Sequence, residues 1–241
     1  MLKQLNVVLV HGAWADGSSW SGVVPRLRDR GYQVTAAQIP LTSLADDVAV
    51  TRRILSLQKG PTVLVGHSYG GMVISAAAVG APMVTSLVYV SAFAPDDGET
   101  LGELNARVAP PPGPSPLRFG DPGFVWIDAE AFPQVFAHDV DLVRAQVMAA
   151  VQKPIAAKIF GERPGKPAWK SLPSWYLVSE NDRMISPQTQ LFMSSRMRAT
   201  TVNVPGSHAA LVSHAAETAQ LIVDAASATL GDVVMKAALG A

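Results

Sequence analysis

The sequence contains no cysteine. Disulfide bonds, thiolate metal sites and a cysteine nucleophile are therefore excluded, because each of them needs a thiol group. Histidines are also few, and none of the five forms an H-E-x-x-H pair or another pair with the spacing of metal ligands. We therefore expect a protein that uses neither a metal nor another cofactor.

An excess of charge of one sign is absent as well, because 19 lysines and arginines balance 19 aspartates and glutamates. Phosphate backbones and acidic membranes favour a positive field that this chain lacks, so we expect neither nucleic acid nor a membrane as a partner. Long apolar runs are also missing: the run at residues 6–10 is too short for a signal-peptide core or a membrane span. A soluble, cytoplasmic protein is the expectation.

Short apolar runs rich in β-branched residues alternate with segments of helical period along most of the chain. This alternation predicts an α/β fold, with helices on a mostly parallel sheet of about six strands. Strands are predicted at residues 6–10, 33–38, 62–65, 86–90, 174–179 and 200–204. Helices are predicted at about 19–30, 43–59, 69–80, 187–198 and 214–230. Ser43 and Pro187 mark two helix starts, and Gly31 and Gly60 mark two helix ends.

The segment 95–171 breaks this alternation, because it shows no strand signal. A connection rich in proline and glycine at 108–123 precedes helical patterns at about 129–151 and 154–160. The segment also holds more large apolar side chains than a solvated loop would carry: Phe124, Trp126, Phe132, Phe136 and Trp169. We predict a core made of residues 1–94 and 172–241, with 95–171 inserted as a helical cap.

Ser68 lies in the sequence G-H-S-Y-G, between a predicted buried strand and a helix of small residues. This is the strand-turn-helix context that a G-x-S-x-G nucleophile elbow requires. Gly66 and Gly70 have no Cβ to obstruct the strained bend. The alternative is a polar residue in a glycine-rich turn, but the context favours a nucleophile.

A serine nucleophile needs a base, and the base needs an acidic group to orient it, in the chain order serine, acid, histidine. His208 directly follows the last predicted strand and is the preferred base. His214, at a predicted helix start, and His138, in the cap, are weaker candidates. The preferred acid is Asp182, just past the fifth strand. Two alternative acids remain, Glu180 and Asp96.

Attack on a carbonyl creates an oxyanion, which two preorganised N–H groups should stabilise. The first donor is the backbone amide of Tyr69, at the start of the helix after Ser68. The second is the amide of Ala13, in the loop after the first strand, where Gly12 lets the chain turn. His11 is expected to hold this loop by hydrogen bonds rather than act as a base. Four aromatic residues are predicted to line the substrate pocket: Trp14, Phe93, Trp126 and Phe136.

Five motifs carry a family resemblance: H-G-A-W, G-H-S-Y-G-G, Y-V-S-A-F-A-P, S-E-N-D and G-S-H. Together they resemble the α/β-hydrolase superfamily, over nearly the whole chain. The likeness is greatest to bacterial esterase-like relatives of the plant methylesterases and hydroxynitrile lyases. The resemblance implies the three-layer α/β-hydrolase fold. It also implies a Ser68–His208–Asp182 triad with the Ala13 and Tyr69 amides as oxyanion donors, the same residues as predicted above.

Two departures from the lyase pattern disfavour that branch. Hydroxynitrile lyases of this group have a threonine at the position of Gly12 and a lysine at the position of Ala209. Dehalogenase relatives have a carboxylate in place of Ser68, so their chemistry is disfavoured too.

The sequence therefore predicts a serine hydrolase that cleaves small to medium apolar carboxylic esters through an acyl-enzyme. The same triad would serve a lactonase, an amidase or a hydrolase of carbon–carbon bonds. A receptor of this fold that binds a small ligand with negligible turnover is the alternative from another class. The oligomeric state stays open, with a homodimer as one option.

Overall fold

The computed structural model describes residues 5–108, 115–120 and 123–239. Nine strands lie in these ranges: β1 Asn6–Val10, β2 Gln33–Ala37, β3 Thr62–His67, β4 Val84–Val90, β5 Leu117–Gly120, β6 Phe124–Ile127, β7 Ile155–Ala156, β8 Ser174–Ser179 and β9 Thr200–Val204. Six of them form a parallel sheet in the order β2-β1-β3-β4-β8-β9. Strands β1, β3 and β8 are buried along their whole length, as expected for strands covered on both faces.

Within the same ranges, nine α-helices connect or flank these strands: α1 Val23–Arg28, α2 Leu44–Ser56, α3 Gly70–Ala77, α4 Leu101–Asn105, α5 Phe132–Val135, α6 Leu142–Ala150, α7 Pro187–Arg196, α8 Ala210–Ser213 and α9 Ala215–Leu239. The Ser43 side chain caps α2 by accepting the Asp46 amide, and Pro187 begins α7 as predicted. Over the described ranges, none of these helices is long and apolar enough to cross a membrane.

The prediction of six core strands flanked by helices is confirmed, with boundaries shifted by a few residues. The predicted helix at 19–30 consists of a 3-10 segment, Gly17–Gly22, followed by α1. The predicted helix at 214–230 is preceded by the short α8 and extends to Leu239.

The segment between β4 and β8 differs from the prediction. It contains α4, α5 and α6, but also β5, β6 and β7, which form a three-stranded antiparallel sheet. The expectation of no strand in 95–171 was therefore wrong. These strands have only two to four residues, and β7 pairs with a strand far from it in the chain, so their sequence shows almost no period. The helical pattern expected at 154–160 covers β7 and a 3-10 helix, Ala157–Gly161. Residues 109–114 and 121–122 of the predicted connection lie outside the described ranges. The division of the chain into core and cap domains stays a prediction.

Candidate active site

Ser68 lies in the sharp turn between β3 and α3, with a backbone φ of +52°. Such left-handed geometry is strained for a residue with a side chain and is typical of functional sites. The neighbouring glycines make the turn sterically feasible. A Cβ on Gly66 would lie 2.5 Å from the carbonyl oxygen of Gly70, and one on Gly70 would lie 2.6 Å from that of Val10.

Ser68, His208 and Asp182 form a continuous hydrogen-bonded chain. The His208 Nε2 atom lies 2.8 Å from Ser68 Oγ, and its Nδ1 atom lies 2.7 Å from Asp182 Oδ2. Because the carboxylate can only accept, Nδ1 carries the proton and Nε2 is free to accept the serine proton. The His208 and Asp182 side chains are fully buried, which shields this arrangement from water. The structure thus brings together the three residues predicted for the triad.

The Asp182 carboxylate is held by three donors in addition to His208. Its Oδ1 atom accepts the amides of Met184 at 2.7 Å and Ile185 at 3.0 Å, and its Oδ2 atom accepts Gln190 Nε2 at 2.8 Å. Gln190 is fully buried in α7. Sequence reasoning missed Gln190, because no motif marks a glutamine in the first turns of a helix.

The alternative acids do not reach His208. Glu180 is exposed, and within the described part of the chain its carboxylate accepts one long hydrogen bond, 3.4 Å, from the Asn203 side chain. Asp96 forms an ion pair with Lys170 on the protein surface. Both carboxylates therefore have local roles.

The alternative histidines also lie away from Ser68. His214 sits between the carboxylates of Asp139, 3.8 Å away, and Glu217, 3.6 Å away. His138 hydrogen bonds through Nε2 to the carbonyl oxygen of Asn181 at 2.9 Å. Each has protein partners other than the serine.

The two predicted oxyanion donors flank Ser68. Tyr69 follows Ser68 directly, and the loop that carries Ala13 is pressed against it, since a Cβ on Gly12 would lie 2.6 Å from Ser68 Cβ. Within the described ranges, neither the Ala13 nor the Tyr69 amide donates to a backbone or side-chain acceptor. Two uncommitted N–H groups beside a nucleophile are what an oxyanion hole requires.

His11 holds the Gly12 loop, as predicted. Its Nε2 atom accepts the Ile39 amide at 3.2 Å, so its Nδ1 carries the proton and donates to the Gly12 carbonyl at 2.9 Å. Burial lowers the pKa of His11 to about 4, so the ring is neutral at neutral pH.

A buried carboxylate that sequence reasoning missed anchors the Tyr69 ring. Asp47 Oδ2 accepts the Tyr69 hydroxyl at 2.6 Å, and Oδ1 accepts the Leu41 amide at 2.7 Å. Burial raises the pKa of Asp47 to about 6 and also raises that of the Tyr69 phenol. A signal was available, because Asp47 shares one helical face with Val48, Thr51 and Leu55, which are buried too.

The four predicted pocket aromatics have different positions. The Phe136 ring stands edge-on to the His208 ring with 4.8 Å between their centroids, and the Phe93 amide donates to Ser68 O at 3.0 Å. Trp14 follows Ala13, has a φ of +57°, and donates its indole N–H to Val125 O at 2.9 Å. Trp126 instead packs over Gly120, on the partly exposed face of the sheet formed by β5, β6 and β7 (the cap sheet). Among the described residues, no aromatic contact or hydrogen bond joins it to the triad.

The described residues hold no group of three or more potential metal ligands.

Comparison with known proteins gives concordant results. A model of the alpha/beta hydrolase family matches residues 7–221. A carbendazim hydrolyzing esterase of a Nocardioides species is 36% identical over 119 residues, which cover 44% of this chain and 49% of the esterase. The match thus spans about half the length of that relative. Methylesterase 8 of Arabidopsis thaliana is 25% identical over 222 residues, or 80% of this chain and 78% of that enzyme. The crystal structure of a pyrethroid hydrolase from Sphingobium faniae has the same fold, with 24% identity and a TM-score of 0.80 over 95% of this chain and 100% of that one.

Proposed function

The chain belongs to the α/β-hydrolase family, and we propose that it is a serine hydrolase that cleaves carboxylic esters of small to medium apolar molecules. The observation that carries this proposal is the Ser68–His208–Asp182 chain, with hydrogen bonds of 2.8 and 2.7 Å. The names of the similar proteins, an esterase, a methylesterase and a pyrethroid hydrolase, support ester hydrolysis as the reaction class.

In the first half of the reaction, Ser68 Oγ attacks the ester carbonyl while His208 Nε2 takes the serine proton. Asp182 accepts a hydrogen bond from His208 Nδ1 and stabilises the imidazolium that forms, without taking the proton. The amides of Ala13 and Tyr69 stabilise the oxyanion. His208 then returns the proton to the leaving alcohol oxygen, and an acyl-enzyme remains on Ser68.

In the second half, a water molecule attacks the acyl carbonyl and gives its proton to His208. The tetrahedral intermediate collapses, the acid leaves, and Ser68 regains the proton. No step needs a cofactor, because the acid–base chemistry is complete within the triad.

The surroundings of the triad favour an apolar and neutral substrate. The Phe136 ring stands edge-on to the His208 ring, the Phe93 backbone amide binds Ser68 O, and both phenylalanine side chains are buried. A site with such walls gains affinity mainly by removing apolar area from water. A small apolar ester is therefore the proposed partner.

The proposal is tested with a fluorophosphonate probe and with p-nitrophenyl acetate and butyrate. The wild type should be labelled and hydrolyse both esters, whereas Ser68→Ala should lose labelling and about 10³-fold or more in kcat. The control is Ser91→Ala, since Ser91 also follows a core strand at positive φ but bonds to Ser179 instead of a histidine. Equal hydrolysis by wild type and Ser68→Ala would refute the proposal, and ligand binding without turnover would favour a receptor.

A further inference from the structure

We propose that Asp139, in the inserted segment between β4 and β8, is a positioning residue for His208. This inference rests on the proposed function, in which His208 is the base. Asp139 does not touch the imidazole. It acts on the backbone that carries the imidazole.

Three backbone polar groups of residues 207–209 bond to distant parts of the described chain. Asp139 Oδ2 accepts the amide of Ser207 at 2.9 Å, and Phe136 O accepts the amide of Ala209 at 3.1 Å. The third anchor comes from the core, where His67 Nε2 donates to His208 O at 2.9 Å. Two of the three anchors therefore belong to residues 136–139 of the inserted segment.

The Asp139 carboxylate is itself well fixed. Its Oδ2 atom also accepts the Ser213 hydroxyl at 2.8 Å, and His214 Nε2 lies 3.8 Å from the same oxygen. Burial alone would raise the pKa of Asp139, but the hydrogen bonds from Ser207 and Ser213 outweigh it and lower the pKa. Asp139 is thus an anionic acceptor at neutral pH, and hydrogen bonds to an anion are stronger than neutral ones.

The same segment also bonds to the loop that carries the catalytic acid. His138 bonds to the carbonyl oxygen of Asn181 at 2.9 Å, and Arg183 Nη1 donates to Gln134 O at 2.9 Å. Residues 134–139 therefore bridge the acid loop and the base loop. The 2.8 Å distance from His208 Nε2 to Ser68 Oγ therefore depends on the position of residues 134–139 relative to these two loops.

The first experiment compares Asp139→Ala with Asp141→Ala by fluorophosphonate labelling and ester hydrolysis. Asp141 lies in the same segment but caps α6 through the Arg144 amide and, among the described residues, forms no hydrogen bond with residues 205–209. Because small displacements of a general base are costly, we expect Asp139→Ala to lower kcat per labelled site about tenfold with KM unchanged. Labelling should still reach every molecule, only more slowly. Asp141→Ala should keep the wild-type kcat per labelled site.

Rescue separates positioning from a general loss of structure. Asp139→Asn keeps a carbonyl oxygen that can accept from Ser207 but lacks the charge, so its kcat should lie between those of wild type and Asp139→Ala. A fall in the labelled fraction with unchanged kcat per labelled site would mean that Asp139 only supports folding, and would overturn the inference.

A proton NMR measurement, which needs no substrate, distinguishes a failure of the positioning role from a failure of the proposed function. The His208 Nδ1 proton, hydrogen bonded to Asp182, should give a downfield proton NMR signal. In Asp139→Ala this signal should shift or broaden, while in Asp141→Ala it should not. A wild type that no probe labels would refute the proposed function alone. An unchanged signal and unchanged rates in Asp139→Ala would refute the positioning role.

Discussion

Gly12 is a residue at which one added methyl group should disturb the nucleophile directly. A Cβ at this position would lie 2.6 Å from Ser68 Cβ and 3.0 Å from His67 O, and neither neighbour is a flexible side-chain end. We expect Gly12→Ala to displace the nucleophile or the Ala13 amide, lowering kcat/KM about 100-fold and costing about 1–3 kcal/mol of stability. Kinetics and urea unfolding measure the two effects.

The control for Gly12→Ala is Gly161→Ala, because no atom lies within 4 Å of a Cβ built on Gly161. It should behave as the wild type in both measurements. Wild-type kcat/KM in Gly12→Ala would contradict the tight packing of this loop against Ser68.

Gln190 links the catalytic acid Asp182 to the end of strand β8. Its Nε2 atom donates to Asp182 Oδ2, and its Oε1 atom accepts the Ser179 amide at 3.1 Å. Gln190→Leu leaves that buried amide without an acceptor, so we expect the free energy of unfolding to fall by about 1–3 kcal/mol. The kcat should fall too, because Asp182 loses a donor that fixes it.

Gln188→Leu, on the exposed side of the same helix, is the matched control. A loss of stability in Gln190→Leu without a change in kcat would show that Gln190 supports the fold and not the acid.

The triad residues could be predicted because each lies at a strand end, in a motif or an order that the chemistry dictates. Gln190 and Asp139 could not, because their partners are set by tertiary contacts, and for Asp47 the helical face indicates burial but not the partner. Asp47 meets the Tyr69 hydroxyl only after α2 packs beside α3, and Asp139 meets Ser207 across 68 residues of chain. Residue type and local period carry little information about such contacts.

At the scale of elements, the cap sheet is the main feature that local patterns did not predict. In β6, the buried Val125 and Ile127 alternate with the partly exposed Phe124 and Trp126, but four residues are too few to establish a period. The core strands were predictable because they have five to seven residues, are rich in apolar and β-branched side chains, and are separated by helical segments. The cap sheet matters for function because the Val125 carbonyl holds Trp14, next to Ala13.

Trp14→Phe tests this link between the cap sheet and the loop after β1. The variant keeps an aromatic ring but removes the N–H that binds Val125 O, so Trp14 and Ala13 lose one constraint. Since a hydrogen bond contributes about 0.5–1.5 kcal/mol net, we expect kcat/KM to fall about two- to tenfold.

Trp169→Phe is the matched control, because its indole N–H donates to Pro95 O at 3.0 Å, apart from the triad. Both variants should lose similar stability in thermal unfolding, but only Trp14→Phe should lose activity. Equal activity losses would mean that the Trp14 bond has no specific effect on the site.

At the scale of the whole molecule, two buried side chains, His11 and Asp47, bind backbone amides of the segment 39–41. As the pH changes, they have opposite effects on the free energy of unfolding. His11 binds the Ile39 amide and has a pKa lowered to about 4, mainly by burial. Its contribution is present above the ordinary histidine pKa and is lost as pH falls toward 4. Asp47 binds the Leu41 amide and has a pKa raised to about 6, again mainly by burial. Its contribution is present below pH 4 and is lost as pH rises through 6.

Because the two contributions oppose each other between pH 4 and 6, removing one should expose the other. For Asp47, a rise of the pKa from 3.8 to about 6 corresponds to about 3 kcal/mol. The free energy of unfolding of Asp47→Asn, minus that of the wild type, should therefore increase by about this amount from pH 4 to pH 7.

Asp46→Asn is the control. Hydrogen bonds from Ser43 and Thr42 lower the pKa of the exposed Asp46, so the corresponding difference should change in the opposite direction. Urea unfolding at pH 4, 5, 6 and 7 measures both differences. A pH-independent difference for Asp47→Asn would mean that the Asp47 carboxylate ionises equally well in the folded and unfolded chain.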